Sequence, residues 1–320
     1  MGTRRLLAAI LSACVVVPAV AGSSASAQTR RIIVPYTPGS GPDILARLMA
    51  EQIGAQNGLS MVVENRPGGG TAIGTEVAAR AEPDGNTILQ VANAFVVNAA
   101  LKRGNYDIAK SFEPICQLAA TPMILVVQSS APYRSAQDVI AAAKAKPGQL
   151  SFASGGPATS LHIAIEVIRR ATGIDVNYVP YGGSLPAINA LMGGHVQAVV
   201  ADYPTIVGQL KAGTLRALAT TAPQRVEALP DVPTLDETGI AKYEDGIFYG
   251  VVVPAHTPAP QIKALSDAFL AALKATAVQP KLAQQGLFPV GACGAPFGAF
   301  LRETVARYER VIKDANIQTN

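Results

Sequence analysis

One pattern recurs along this chain and restricts its fold more than any other. A short β-branched apolar run meets a glycine- and proline-rich turn, and apolar residues at helical spacing follow. It first occurs at Ile32-Ile33-Val34, then Pro35-Tyr36-Thr37-Pro38-Gly39-Ser40-Gly41-Pro42-Asp43, then Ile44-Leu45-Ala46-Arg47-Leu48-Met49. Continuous apolar strands alternating with helices belong to a parallel sheet covered on both faces. The strand Met61-Val62-Val63, the turn Gly68 to Gly74, the helix Thr75 to Ala81 and the strand Thr87 to Val91 repeat the pattern. A doubly wound βαβαβ unit is predicted. Asn93 to Ala100 then falls just past a strand's C-terminal end, where such sheets hold ligands.

The same rhythm returns further on. Leu150 to Ser154 is a strand, Gly155 to Ser160 a turn and Leu161 to Thr172 a helix closed by Gly173. Val176 to Pro180, Tyr181 to Ser184, Leu185 to Met192 and Val196 to Asp202 continue it. Helices are also predicted at Ser135 to Lys146, Thr205 to Ala212, Ile262 to Lys274 and Phe297 to Asp314, and a strand at Leu215 to Thr220. Phe112 to Val127 is long, extended and apolar, interrupted at Pro122, and Gly246 to Val253 is a second such stretch. Both read as crossings between domains. The predicted class is α/β: residues 28–122 with 253–320 form domain one and 123–252 domain two, two doubly wound units around a hinged cleft.

The first 27 residues read as a secretory leader. Arg4-Arg5 is the charged region, Leu6 to Val20 the apolar one, and Ala25-Ser26-Ala27 the cleavage site before Gln28. An uncleaved anchor is one alternative, although the apolar run is short for a span. A lipoprotein-type box at Leu11-Ser12-Ala13-Cys14 is another, but cutting there leaves a very short apolar region. No later stretch is apolar enough to span a bilayer, so a soluble, exported, monomeric protein is expected. Without the leader, Cys116 and Cys293 remain, as one disulfide or as two buried thiols. Two cysteines and three scattered histidines offer no metal-ligand spacing, and no metal or other cofactor is expected.

Removing two leader arginines from 26 basic residues leaves 24, against 22 acidic ones. That balance, with no Lys/Arg run and no tryptophan, disfavours nucleic acid and stacked sugars. A Walker Gly-Lys-Ser/Thr is lacking, and Gly68-Gly69-Gly70-Thr71-Ala72-Ile73-Gly74 matches a dinucleotide fingerprint only loosely. What the chain does offer is four glycine turns, each ending a strand and opening a helix. Backbone N–H groups at helix N-termini attract anions, and hydrogen bonds to a charged group are worth about 1.5–3 kcal/mol each. Four such ends converging across a cleft can hold a small dianion without an arginine. Tyr36, Tyr181 and Phe95 are candidate walls. Asp43 is able to cap its own helix while shaping the site.

These residues resemble the Bug-type extracytoplasmic solute receptors of the tripartite tricarboxylate transporter (TctC) family, from Arg31 to about Ile317. The resemblance rests on Val34-Pro35-Tyr36-x-Pro38-Gly39-x-x-x-Asp43, Val63-Glu64-Asn65-Arg66-Pro67-Gly68-Gly69-Gly70 and Tyr178-Val179-Pro180-Tyr181-Gly182-Gly183. Leu229-Pro230-Asp231-Val232-Pro233-Thr234-Leu235-Asp236-Glu237-Thr238-Gly239 is a further, highly specific match. It implies the periplasmic-binding-protein fold, with a cleft that closes on a small organic mono- or dicarboxylate for integral-membrane transporter subunits. Pro38, Gly39, Ser40, Gly41 and Asp43 would grip one carboxylate together with Tyr181, Gly182, Gly183 and Ser184. Ser154, Gly155, Ala158, Thr159, Ser160, Asn93 and Asp202 would sit at the other pole and choose the ligand. Gly70 and Thr71 complete the candidate contacts. Two departures stand out: Ser40-Gly41-Pro42, where a second glycine commonly follows the first, and Gly182, where the family commonly has lysine. Two alternatives stay open, a ligand-dependent sensor for a membrane kinase and a secreted serine hydrolase using Ser160 and His162, or Ser184 with Asp202.

Overall fold

The computed structural model describes residues 29–156, 159–243 and 246–314. The leader, with its cleavage and lipidation alternatives, lies outside them, as does Ala158.

β1 (Arg30–Val34), α1 (Gly41–Asn57), β2 (Met61–Asn65), α2 (Ala72–Ala79) and β3 (Thr87–Ala92) follow the expected order. α3 (Asn93–Ala100) and the single turn α4 (Ile108–Ser111) precede β4 (Phe112–Gln128). Next come α5 (Ala136–Ala145), β5 (Ser151–Ser154), α6 (Ser160–Thr172), β6 (Asn177–Pro180), α7 (Ser184–Met192), β7 (Ala198–Asp202), α8 (Tyr203–Lys211) and β8 (Leu215–Thr220). β9 (Gly246–Pro254), α9 (Ala259–Lys274), α10 (Gln279–Gln284), β10 (Phe288–Cys293) and α11 (Ala295–Asp314) complete the described chain.

Two parallel units share one strand arrangement. β1 lies between β2 and β3, and β5 lies between β6 and β7, all parallel. β4 joins them, antiparallel to every partner. Phe112 to Pro122 pairs with β9, and Met123 to Gln128 pairs with β7 and β8. Pro122 therefore does not interrupt the strand. It stands where β4 exchanges one set of partners for the other, opposite the first residue of β9. β9 also pairs with β3, which makes it a strand of the first sheet along its whole length.

Local signals account for the helix ends. α1 closes on Gly58 in the left-handed region, where glycine carries no Cβ penalty. Ser135 and Asp138 form a reciprocal capping box at the start of α5. The cores are the expected faces: Ile32, Ile33 and Val34 of β1 have no exposure, and every residue of β3 is buried.

Four elements were not foreseen from the sequence, the single turn α4 capped by Asp107 among them. α3 contains two valines, two asparagines and a phenylalanine, which lower intrinsic helix propensity, yet it is buried through Asn98. α10 is too short to show a period. β10 contains Pro289 and Gly291 and pairs only with β4, with a register shift between Pro289 and Ala292. Proline is tolerated on such an edge. β10 places Cys293 opposite Cys116, and the two form a disulfide, which settles the open alternative. Phe95 is not a cleft wall: it is buried between Tyr106 and Phe112.

A cavity ringed by helix N-termini

Between the two parallel units lies a cavity of about 560 Å³. Its lining includes the first residues of five helices: Ser40 and Pro42 at α1, Thr71 at α2, Ala92 to Ala94 at α3, Thr159 to Leu161 at α6, and Gly183 and Ser184 at α7. The start of a helix carries backbone N–H groups without intrahelical partners and a partial positive charge.

The first turn is built from within. Gly39, at φ +77°, donates its N–H to Asp43 Oδ2 at 2.9 Å. Asn65 Nδ2 donates to Asp43 Oδ1 at 2.8 Å and to the Tyr36 carbonyl at 3.1 Å, and Arg47 Nε donates to Asp43 Oδ2 at 2.9 Å. Burial opposes the charge on Asp43, but these donors outweigh it and hold the carboxyl below its usual range. Asp43 and Asn65 thus brace two loops rather than face the cavity. Pro38, Gly39 and Gly41 do not line it either, and the Gly39 amide is committed to Asp43. Gly41 matters by being small, because a β-carbon there would overlap Asp202 Oδ2 and the Tyr249 hydroxyl.

Tyr36, Thr37 and Ser40 do line the cavity, and their three hydroxyls are buried without a protein partner. Ser40 is the N-cap of α1 but makes no cap hydrogen bond with its side chain. Burial, then Tyr106 and Asp202, push the Tyr36 phenol well above its ordinary range, against a smaller lowering by the Ala92 backbone.

The opposite wall approaches closely. Gly155 packs on the next turn so tightly that a β-carbon would lie 2.8 Å from the Ser184 N–H nitrogen, and one on Gly183 would lie 2.5 Å from Thr37 Oγ1. Thr159 caps α6 by accepting the His162 N–H and donates to the Gly156 carbonyl at 2.9 Å. Ser160, Tyr181 and Gly182 line the cavity. Ser154 does not; its hydroxyl is 2.9 Å from the Tyr178 hydroxyl.

Two lining residues expected to select ligand are committed to the protein. Asn93 Nδ2 donates to the Gly246 carbonyl and to the Tyr308 hydroxyl, both at 2.8 Å, and its Oδ1 accepts the Phe248 N–H at 2.9 Å. Asp202 accepts hydroxyls from Ser184 at 2.9 Å, Thr205 at 2.6 Å and Tyr249 at 3.4 Å. His162 stacks on Tyr178 with centroids 4.1 Å apart, and its Nε2 is 3.8 Å from Glu166 Oε1.

The second turn contributes more than Gly70 and Thr71. Pro67, Gly68 and Gly69 also line the cavity. Asn98 of α3 secures this turn, donating to the Gly70 carbonyl at 2.7 Å and to Thr71 Oγ1 at 3.3 Å. Tyr249 and Arg103 are further lining residues that sequence reasoning missed. Arg103 follows α3 in an irregular loop, and nothing in its neighbours signals a site.

Two parallel α/β units sharing a crossover strand, with helix N-termini around a cavity between them, define a periplasmic solute-binding receptor. Within that class the chain belongs to the Bug-type receptors of the TctC family: the model described as "Tripartite tricarboxylate transporter family receptor" matches residues 45–317. The chain is similar to Protein BugT of Bordetella pertussis, with 30% identity over 320 residues covering 98% of each chain. Its fold matches R. palustris Rpa4515 with adipate at 30% identity and TM-score 0.86, covering 90% of this chain and 97% of that one. It matches MatC (Rpa3494) from Rhodopseudomonas palustris with bound malate at 26% identity and TM-score 0.84, covering 89% and 98%. The family is one of non-enzymatic receptors, which sets the hydrolase alternative aside.

Proposed function

We propose that this chain captures a small aliphatic carboxylate outside the cytoplasmic membrane and presents it to integral-membrane subunits of a tripartite transporter. It is exported by a leader cut after Ala27 and acts as a monomer. One observation carries the reading: the starts of five helices line a cavity whose wall also includes Tyr36, Thr37 and Ser40, with hydroxyls buried and without a hydrogen-bond partner. Desolvated donors are costly unless something accepts from them, and a carboxylate is the acceptor that also suits the field. Adipate in Rpa4515 and malate in MatC support ligands of this size and charge.

Residues 28–122 with the return segment from β9 onward form one lobe, and the segment between forms the other. The change of partners along β4 and the pairing of β9 with β3 favour placing the second boundary at the start of β9 rather than at residue 252. In the mechanism that follows, an anion enters the open cleft and is met by α1 and its hydroxyls. Closure then brings the Tyr181–Ser184 turn over it.

Thermal unfolding against a panel of aliphatic and aromatic carboxylates tests this. A ligand at 100 times its Kd adds about 2.7 kcal/mol, a rise in Tm of roughly 5 °C or more for a chain of this size. A panel without any shift overturns the reading.

A further inference from the structure

Asp202 is the residue before α8, a position at which an aspartate ordinarily accepts an N–H of the first helical turn. Here its side chain makes no such bond. The carboxylate turns instead to three hydroxyls: Ser184 donates to Oδ1 at 2.9 Å, while Thr205 at 2.6 Å and Tyr249 at 3.4 Å donate to Oδ2. Ser184 and Thr205 fall in the same segment as Asp202, between β4 and β9. Tyr249 is in β9, which pairs with β3 of the first parallel unit. Along β4, Tyr249 is paired with Ala119 and Asp202 with Met123, on either side of Pro122. The first residue of α1 closes against both partners, since a β-carbon on Gly41 would overlap Asp202 Oδ2 and the Tyr249 hydroxyl. Asp202, Ser184 and Tyr249 all line the cavity.

Resting on the two-lobe receptor reading above, we propose that Asp202 is a positioning residue: it fixes the Ser184 turn within its own lobe and, through the Tyr249 hydroxyl, holds that lobe closed on the ligand. The bonds to Ser184 and Thr205 keep their lengths when one lobe rotates against the other. The Tyr249 bond is the one that changes with the angle between them. A hydroxyl–carboxylate bond is strongest at about 2.6 Å, so the 3.4 Å bond gains as the two oxygens approach. A ligand held between the Ser184 turn and the start of α1 favours the same approach, and the bond and the ligand then stabilise one arrangement together. Because that bond tightens only after the ligand has entered, it acts on release and not on capture.

The test is stopped-flow measurement of association and dissociation rates on the full mature chain, with succinate, malate, adipate and benzoate as probes. Tyr249→Phe deletes the hydroxyl that joins the lobes. For each probe that binds the wild type it should raise the dissociation rate roughly three- to tenfold, the span of one hydrogen bond gained on closure. The association rate and the ligand-free Tm should be retained, which a merely structural loss would not allow. Asp202→Ala should raise the dissociation rate further, and in that background Tyr249→Phe should add nothing. Should Asp202→Ala fail to fold, Asp202→Asn takes its place in the cycle. Equal dissociation rates in the wild type and Tyr249→Phe overturn the assignment. So does a Tyr249→Phe effect that persists undiminished beside the Asp202 change, which would mean that the tyrosine touches the ligand itself. If the wild type binds none of the four acids, the receptor reading falls and the assignment falls with it.

Discussion

Thr37 and Gly183 meet across the cavity so closely that a β-carbon on Gly183 would lie 2.5 Å from Thr37 Oγ1 and 3.0 Å from its Cγ2. Gly183 has φ 164°, extended backbone open to any residue. The absence of a side chain there serves the approach of the two walls and not the backbone conformation.

Gly183→Ala should accordingly leave the fold intact and oppose closure. The expected outcome is a carboxylate affinity weakened at least tenfold with an unchanged ligand-free Tm, measured by calorimetry and thermal unfolding. Adding Thr37→Ala removes both clashing atoms and should recover part of the loss. Unchanged affinity in the single variant would mean that the two walls do not need this contact.

Asn93 lines the cavity but belongs energetically to the fold. Asn93→Ala removes the hydrogen bonds to the Tyr308 hydroxyl and the Gly246 carbonyl and leaves the buried Phe248 N–H without its Asn93 acceptor. A buried donor deprived of its acceptor costs about 1–3 kcal/mol, so urea unfolding should show a loss of about that size. The rank order of carboxylates bound should not change. A reordered ranking with little loss of stability would show that Asn93 reads the ligand after all.

Gly182 is the departure that is easiest to reverse. A β-carbon there meets nothing within 4 Å. Gly182→Lys should fold normally and add a cation beside the cavity, tightening dicarboxylates more than monocarboxylates by a few-fold, with the gain shrinking as salt is raised. Equal effects on both classes at all salt concentrations would count against an electrostatic origin.

His162 sets a window for acid sensitivity. Burial lowers its pKa below 6.5, Glu166 opposes that, and Arg169 and Arg103 add to it. The unfolded chain thus takes up the proton first. The associated stability is complete above pH 6.5 and declines as pH falls through 6.5 towards the folded-state value. His162→Phe retains a ring to stack on Tyr178 and removes the proton, so its Tm should fall less between pH 7 and pH 5 than that of the wild type. The stability held by Asp43 runs to lower pH: its depressed pKa keeps that contribution above the ordinary carboxylate value of 3.8 and surrenders it below.

Much of this protein is legible in its sequence because the signals are local. The strand at Ile32 to Val34 is read from three consecutive β-branched residues, a composition that suits a buried strand. The capping box at Ser135 and Asp138 and the left-handed glycines at Gly58 and Gly173 mark helix ends by chemistry confined to one turn. The four glycine turns announce a cleft site for the same reason. Pro122 misled, because a proline breaks a ladder only where its N–H is needed, and β4 exchanges partners at that residue.

What the turns do once brought together was decided elsewhere. Asp43 and Gly39 carry the marks of a ligand grip, yet Asn65 and Arg47, distant or a helical turn away, convert them into a brace. Asn93 and Asp202 look like selectors and are consumed by Tyr308, Phe248, Ser184, Thr205 and Tyr249, partners up to 215 residues away. Arg103 carries no mark at all and reaches the cavity through the path of the loop after α3. By itself the sequence determined the class of fold, its two parallel units and the glycine turns between strand and helix, since each follows from periodicity and short-range stereochemistry. Only the tertiary structure decided which polar atoms remain for a ligand. A hydrogen-bonding group is spent or spare according to its neighbours in space, and those neighbours come from all parts of the chain.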